Sequence, residues 1–301
     1  MERLTGAQRG FLLLSSRLGV AERKPLTPAQ LRTLAQRVQM ASRMDAEEEL
    51  TAGCLAELGY GQEAAAHILA LLREEEMLDY YLEKAARAGC TPITRADARY
   101  PLSVRQKLGL DAPGCLWAKG DVSLLQTPVI SLVGSRELRM PNEEFARRVG
   151  QEAAKQGFTL VSGNARGADK AAQRACLAEG GRVISVVADS LESHRSREGV
   201  LFLTEDSFNL PFTAQRALSR NRVIHSISPR IFVAQATLHT GGTWDGTEKN
   251  LRHGWSSVFC LDDGSGAARE LIQLGAVPVD FLELQSIDQL RSPELNIFTM
   301  D

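Results

Sequence analysis

Several features are missing from this sequence, and each absence narrows what it encodes. No apolar run approaches the ~20 residues that cross a bilayer, and residues 1–6 lack the basic-then-apolar start of a secretory leader. A cytoplasmic, membrane-free protein is expected. The cysteines, Cys54, Cys90, Cys115, Cys176 and Cys260, are odd in number, far apart and never in a C-x-x-C pair. That argues for reduced thiols and against a disulfide frame or zinc site. The histidines His67, His194, His225, His239 and His253 have no metal-ligand spacing, and only His239 lies near a glycine-rich loop. No G-x-x-x-x-G-K-[ST] and no G-x-S-x-G occurs, so P-loop hydrolysis and a nucleophile elbow are unsupported. No catalytic residue, metal or cofactor is expected. Aromatic residues are 6% of the chain, which leaves few platforms for base stacking.

Charge of one sign is also scarce, since the 301 residues carry a net −2. Its distribution is more telling. Residues 102–230 hold 18 Lys and Arg against 13 Asp and Glu, an excess of +5, while residues 231–301 hold 4 against 10, or −6. The basic excess falls on the middle of the chain.

What is present is a change of period. Over residues 1–85, Leu31, Leu34 and Val38, then Ala65, Ile68, Leu69 and Leu72, recur at helical spacing. This predicts an all-helical domain of the SAM or helix-hairpin-helix kind, serving as a packing module or gripping a nucleic-acid backbone. The acidic runs at 45–49 and 74–76 suit solvated helix faces. Residues 86–127 read as a connecting segment. From 128 to 301 strands and helices alternate, with strands expected at 129–133, 158–161, 182–187, 201–204, 230–234 and 257–261. Helices are expected at 142–156, 168–179, 214–226, 247–253 and 267–274. The fold class is therefore α/β: a Rossmann-like, mostly parallel sheet with helices on both faces, preceded by a small all-helical domain.

Two strand-to-helix loops carry the chemistry. Val133 leads into Gly134, Ser135 and Arg136; Val161 leads into Ser162, Gly163, Asn164, Ala165, Arg166 and Gly167. Small residues bring backbone N–H groups close to a ligand, arginine supplies a planar fork for phosphate, and a helix N-terminus lies behind. Parallel strands put both loops at one sheet edge, where open α/β sheets bind ligands. Asp169, in the first helical turn, is expected to support its loop. Arg216 and Arg220 share a helix face, with Arg222 to the side. A third loop, Gly241, Gly242 and Thr243 before Trp244, opens another helix at the same edge; Trp244 fits a buried ring better than a stacking one.

In order along the chain, Arg99-Tyr-Pro101, Val133-Gly-Ser-Arg136, Ser162-Gly-Asn-Ala-Arg-Gly-Ala-Asp169 and Arg220-Asn-Arg-Val-Ile224 resemble the motifs of the bacterial DNA-processing protein A (DprA/Smf) family. The resemblance covers roughly residues 82–279 and lacks the C-terminal winged helix of some members. It implies a Rossmann-like fold, single-stranded DNA binding, pairing as a homodimer, and a role in natural transformation and recombination, handing DNA to the RecA recombinase. Gln235 stands where the family has glutamate. Gly241-Gly-Thr through Gly246-Thr-Glu248 is similar to a loosened P-G-G-x-G-T-x-x-E motif of lysine-decarboxylase-like phosphoribohydrolases. That supports the alternative of a nucleotide sensor or nucleotide-cleaving enzyme on the same fold.

Overall fold

The computed structural model describes residues 4–20, 22–41 and 50–291. The chain opens with α1 (Gly6–Ser15), α2 (Pro28–Met40), α3 (Ala52–Glu57), α4 (Gln62–Leu72) and α5 (Glu75–Arg87). Thr5 with Gln8, and Thr27 with Gln30, form capping boxes that fix the starts of α1 and α2. Leu31, Leu34, Leu55, Ile68 and Leu71 make a small core among α2–α4. Helices α1 and α5 instead pack on the sheet, where Leu12, Leu13 and Tyr81 join Trp117 and Phe208. Tyr81 lies edge-on to Trp117 at 5.3 Å, and its hydroxyl donates to Asn209 at 2.8 Å. Of the two acidic runs, 45–49 lies outside the described residues. At 74–76, Glu74 pairs with buried Arg23 at 2.6 Å and Glu75 pairs with Arg9, so that run is partly ion-paired rather than simply solvated.

One nine-stranded sheet follows, formed by β1 (Cys90–Thr94), β2 (Cys115–Gly120), β3 (Val129–Val133), β4 (Thr159–Ser162), β5 (Arg182–Val186), β6 (Val200–Glu205), β7 (Arg230–Val233), β8 (Ser257–Cys260) and β9 (Val277–Pro278), in the order β1-β2-β6-β5-β4-β3-β7-β8-β9. Strands β3 to β9 pair in parallel, whereas β1 and β2 add antiparallel strands beyond β6. The segment 86–127 is therefore more than a connector: it supplies two strands and α6 (Leu102–Leu108). Its first strand tolerates Pro92 because β1 is an edge strand with one neighbour.

Helices α7 (Met140–Lys155) and α8 (Ala168–Ala178) cover one face through Phe145, Val149, Ala172 and Cys176. Helices α9 (Ala214–Ile227), α10 (Gly241–His253) and α11 (Gly266–Gln273) cover the other with α6, through Val223, Ile224, Trp244, Leu271 and Val104. The chain steps outward from β3 to β6 and then crosses back to β7. The strand order thus reverses between β3 and β7, and the C-terminal strand ends at such a reversal form the crevice where open α/β sheets bind ligands.

His225 of α9 is fully buried beside α10. Neither ring nitrogen has a hydrogen-bond partner among the described residues, and a Cβ at Gly246 would stand 2.9 Å from Nε2. Burial pushes its pKa down to about 3. The unfolded ring takes up its proton near pH 6.5 and the folded ring only near pH 3, so stability falls as pH drops through that window, by about 1.4 kcal/mol per pH unit. His225→Phe should remove this slope. Urea unfolding of both proteins at pH 7 and pH 4.5 checks it; equal losses in the two would contradict the burial account.

Candidate functional site

Three loops meet at the reversal, and they are stitched to one another. After β3, the Ser135 N–H donates to the Gln235 carbonyl at 2.9 Å and its hydroxyl to the same oxygen at 3.2 Å. Gln235, just after β7, accepts from the Arg139 N–H at 3.0 Å and donates from Nε2 to the Glu137 carbonyl at 3.1 Å. The Ala168 N–H, opening α8, donates to the Ser135 carbonyl at 3.2 Å. Both donors of Ser135, read in the sequence as ligand groups, are thus used inside the fold. The loops approach so closely that side chains do not fit. A Cβ at Gly134 would strike the Ala168 methyl. At Gly167, which also has φ +83°, it would strike the Ser135 and Arg136 carbonyls.

The third contact is Arg220. From α9 its Nη1 donates to the Gly163 and Val186 carbonyls, which end β4 and β5. Gly163 has no room for a Cβ because the guanidinium fills that place. Burial lowers the Arg220 pKa, the Asp169 and Asp189 carboxylates raise it, and Arg136 lowers it. Arginine stays charged throughout, so a half-buried cation lies beneath the loops with its Nε enclosed and unpartnered. Asp169 is buried in the first turn of α8, and its Oδ2 accepts from the Ala165 N–H at 3.0 Å. Burial raises its pKa, while Arg220 and the Ala165 and Gly163 amides lower it. Asp169 thus bonds to its loop backbone and has Arg220, rather than Arg166, as its neighbouring cation. Ser162 is buried, and its Oγ accepts from Gln173 Nε2 at 2.6 Å; it belongs to the core. Asn164 takes the left-handed conformation at φ 60°, which asparagine tolerates, and accepts from Lys170.

Two arginines remain on the surface of the crevice. Arg136 is exposed, without a hydrogen-bond or ion-pair partner among the described residues, and lies within electrostatic reach of Arg220. Arg166 is exposed and pairs with Glu137 at 3.1 Å, both ends largely in solvent. Such a pair is worth little and yields readily to a stronger anion. Sequence reasoning passed over Lys170 and Arg174. They stand four residues apart on α8, and their like charges lower the Lys170 pKa after burial does. The signal was present in that spacing.

Arg222 corrects the expected arrangement. It points away from the crevice, pairing with Glu205 and donating from Nη1 to the Asp111 carbonyl at 3.1 Å. Two residues past Arg220, it sits on another side of α9. Arg216 is a brace, donating to the Ala188, Leu210 and Pro211 carbonyls at 2.8–2.9 Å. Gly241, Gly242 and Thr243 form the first turn of α10, and the Gly242 carbonyl accepts from Asn221 at 2.9 Å. Trp244 is buried as expected, edge-on to His239 at 4.9 Å, so it offers no stacking face. Glu248 pairs with Arg252 at 2.8 Å. No group of three His, Cys, Asp or Glu poised for a metal occurs among the described residues.

A mostly parallel sheet wound on both faces, with glycine loops at the switch point, defines a Rossmann-like α/β protein. The chain belongs to the DNA recombination-mediator protein A family, whose model matches residues 91–283. It is 29% identical to Protein Smf of Escherichia coli over 185 residues, covering 56% of this chain and 49% of that one. It is 30% identical to the DNA processing protein DprA of Streptococcus pneumoniae over 188 residues, covering 55% and 63%. The chain thus matches about half to two thirds of these relatives' lengths. In structure it is similar to the S. pneumoniae protein, with TM-score 0.73, 23% identity, and 97% and 100% of the chains covered. The Helicobacter pylori DNA processing protein A, described for its single-stranded DNA binding mode, matches with TM-score 0.55, 22% identity, and 65% and 94% covered. These two likenesses establish the fold.

The Gly163–Arg220 contact predicts a strong coupling. Gly163→Ala should cost about 1–3 kcal/mol, as overpacking does. Most of that cost should vanish in an Arg220→Ala background, where the guanidinium is gone. A double-mutant cycle by urea unfolding measures this; additive costs would contradict the contact.

Proposed function

We propose that the chain binds single-stranded DNA along the crevice at the C-terminal strand ends, without catalysing a reaction. The observation that carries this is an unpaired, exposed Arg136 next to the half-buried cation Arg220, with Lys170 and Arg174 continuing the positive charge along α8. Asp169 and Asp189 offset part of this charge, while Arg136 has no carboxylate of its own among the described residues, and a polyanion relieves the remaining repulsion. Phosphates carry the affinity in this reading, which agrees with the small aromatic content and the buried Trp244. Arg166 joins once its pair with Glu137 opens. Gly134, Gly163, Gly167, Gly241, Gly242 and Thr243 shape the crevice rather than discriminate bases, and Ser135, Ser162 and Asn164 hold its walls. Arg222 has no part in it.

The family and the H. pylori relative, described for its single-stranded DNA binding mode, support the same ligand. Handing DNA to RecA, pairing as a homodimer and a cytoplasmic place belong to this reading. No helix among the described residues is long and apolar enough to cross a membrane. Glu248, the carboxylate that a nucleotide-cleaving motif would use, pairs with Arg252 at 2.8 Å.

Titrating a labelled oligothymidylate across salt concentrations tests the proposal. With Arg136, Arg166, Lys170 and Arg174 each meeting a phosphate, log K should fall against log salt with a slope of about −2.8. Arg136→Ala should weaken binding by about 1–3 kcal/mol and reduce the slope by about 0.7, with its thermal midpoint unchanged. Tight binding of AMP with no binding of the oligonucleotide, or an Arg136→Ala protein that binds like wild type at every salt, would contradict it.

A further inference from the structure

The edge of the sheet opposite the crevice carries a second feature that DNA binding does not use. There, at the start of β3, lies a cavity of about 430 Å³ whose walls include Leu102, Leu125, Val129, Ile227, Asp97 and Arg105. Leu125 and Val129 are half-buried, and Leu102 is 61% exposed although it is a large apolar side chain. An exposed leucine beside the apolar side chains of Leu125, Val129 and Ile227 leaves surface that a partner would cover.

The charges around this trough are unequal. The carboxylate in its wall, Asp97, is nearly enclosed and saturated: Arg99 donates to it from Nε at 2.9 Å, from Nη2 at 2.6 Å and from its backbone N–H at 2.8 Å. That bond from Arg99 holds the Asp97 carboxyl below its usual range. Arg105, on the rim, is exposed and has no hydrogen-bond or ion-pair partner among the described residues. Its charge presses on Arg95, whose pKa falls chiefly by burial and further through Arg105. Lys107, one turn of α6 from Ser103, reaches the Ser228 carbonyl at 2.6 Å. The rim therefore carries one cation without a partner, Arg105, and the lining sets Leu125, Val129 and Ile227 among Ser103, Gln126 and Thr127.

We infer that this trough docks an acidic peptide segment of a partner protein, with an apolar side chain seated over Leu125, Val129 and Ile227 and a carboxylate held by Arg105. Charge complementarity selects the occupant. A free cation beside apolar surface suits a carboxylate flanked by an apolar anchor. The volume falls within the range of about 300–1,000 Å³ seen for binding clefts. The exposed Leu102 and Arg105 leave one side open, so a small molecule would stay half in water, whereas a peptide covers the opening with its own backbone. Val129 at the trough and Val133 at the crevice are the two ends of β3, about 13 Å apart at strand rise. A peptide here and a nucleic acid at the other edge do not compete.

Fluorescence anisotropy with a fluorescein-labelled acidic octapeptide ending in leucine and phenylalanine, added to the full chain, tests the inference. Saturable binding is expected. It should weaken about tenfold or more in Arg105→Glu and in Leu102→Asp. Both positions are exposed, so thermal midpoints and oligonucleotide affinity should stay at wild-type values. Versions of the peptide with lysine for the acids, or serine for the apolar pair, should bind at least tenfold more weakly. No saturation by the wild type, equal affinity in Arg105→Glu, or equal binding of the lysine peptide would overturn it. Displacement of the peptide by an oligonucleotide would also overturn it, by placing the peptide in the crevice.

Discussion

The half-buried guanidinium of Arg220 is the constraint on which the site depends. It comes from α9 on one face of the sheet and donates to carbonyls that end β4 and β5. Those carbonyls lie where parallel strands stop and no ladder partner remains, so the arginine satisfies groups that burial would otherwise leave costly. In return the strand-end loop gives up every side chain at Gly163. Asp169, held by loop amides from the other side, balances the charge. Cation, carboxylate and loop are one unit, and removing any member strands the others in low dielectric.

This unit separates what builds the crevice from what meets a ligand. Ser135 and Ser162 look like ligand groups because hydroxyls in glycine loops commonly are. In the fold their hydrogen bonds go to Gln235 and Gln173. Gln235 earns its place through neutral bonds that tie two loops together. What remains for a ligand is charge without an internal partner, and Arg136 is the clearest instance. A surface pair such as Arg166 with Glu137 is intermediate, since exposed ion pairs contribute little and exchange readily.

The alternation of strands and helices from β3 onward was legible in the sequence because buried parallel strands are unbroken β-branched runs ended by glycine. Strand β3 falls where expected, and β5, β7 and β8 fall within a residue of their expected ends. Strands β1 and β2 were not legible: β1 is short and carries Pro92, β2 ends in Lys119 and Gly120, and both pair antiparallel to the rest. Their place depends on distant β6, which no local period encodes. At the site, spacing brought Arg136, Arg166 and Arg220 to one edge. It could not tell that Arg222, two residues past Arg220, turns to Glu205, because that acid lies on a strand across the sheet. Lys170 and Arg174 were hidden for the opposite reason. On a helix they read as ordinary solvated charge until the crevice beside them is known.

Hydrogen exchange of backbone amides with and without an oligothymidylate tests the central claim most directly. Bound DNA should slow exchange in residues 134–139 and 163–170, the loops that line the crevice, and leave α2–α4 and the start of β3 unchanged. Protection confined to α2–α4, or absent from both crevice loops under saturating oligonucleotide, would contradict the account.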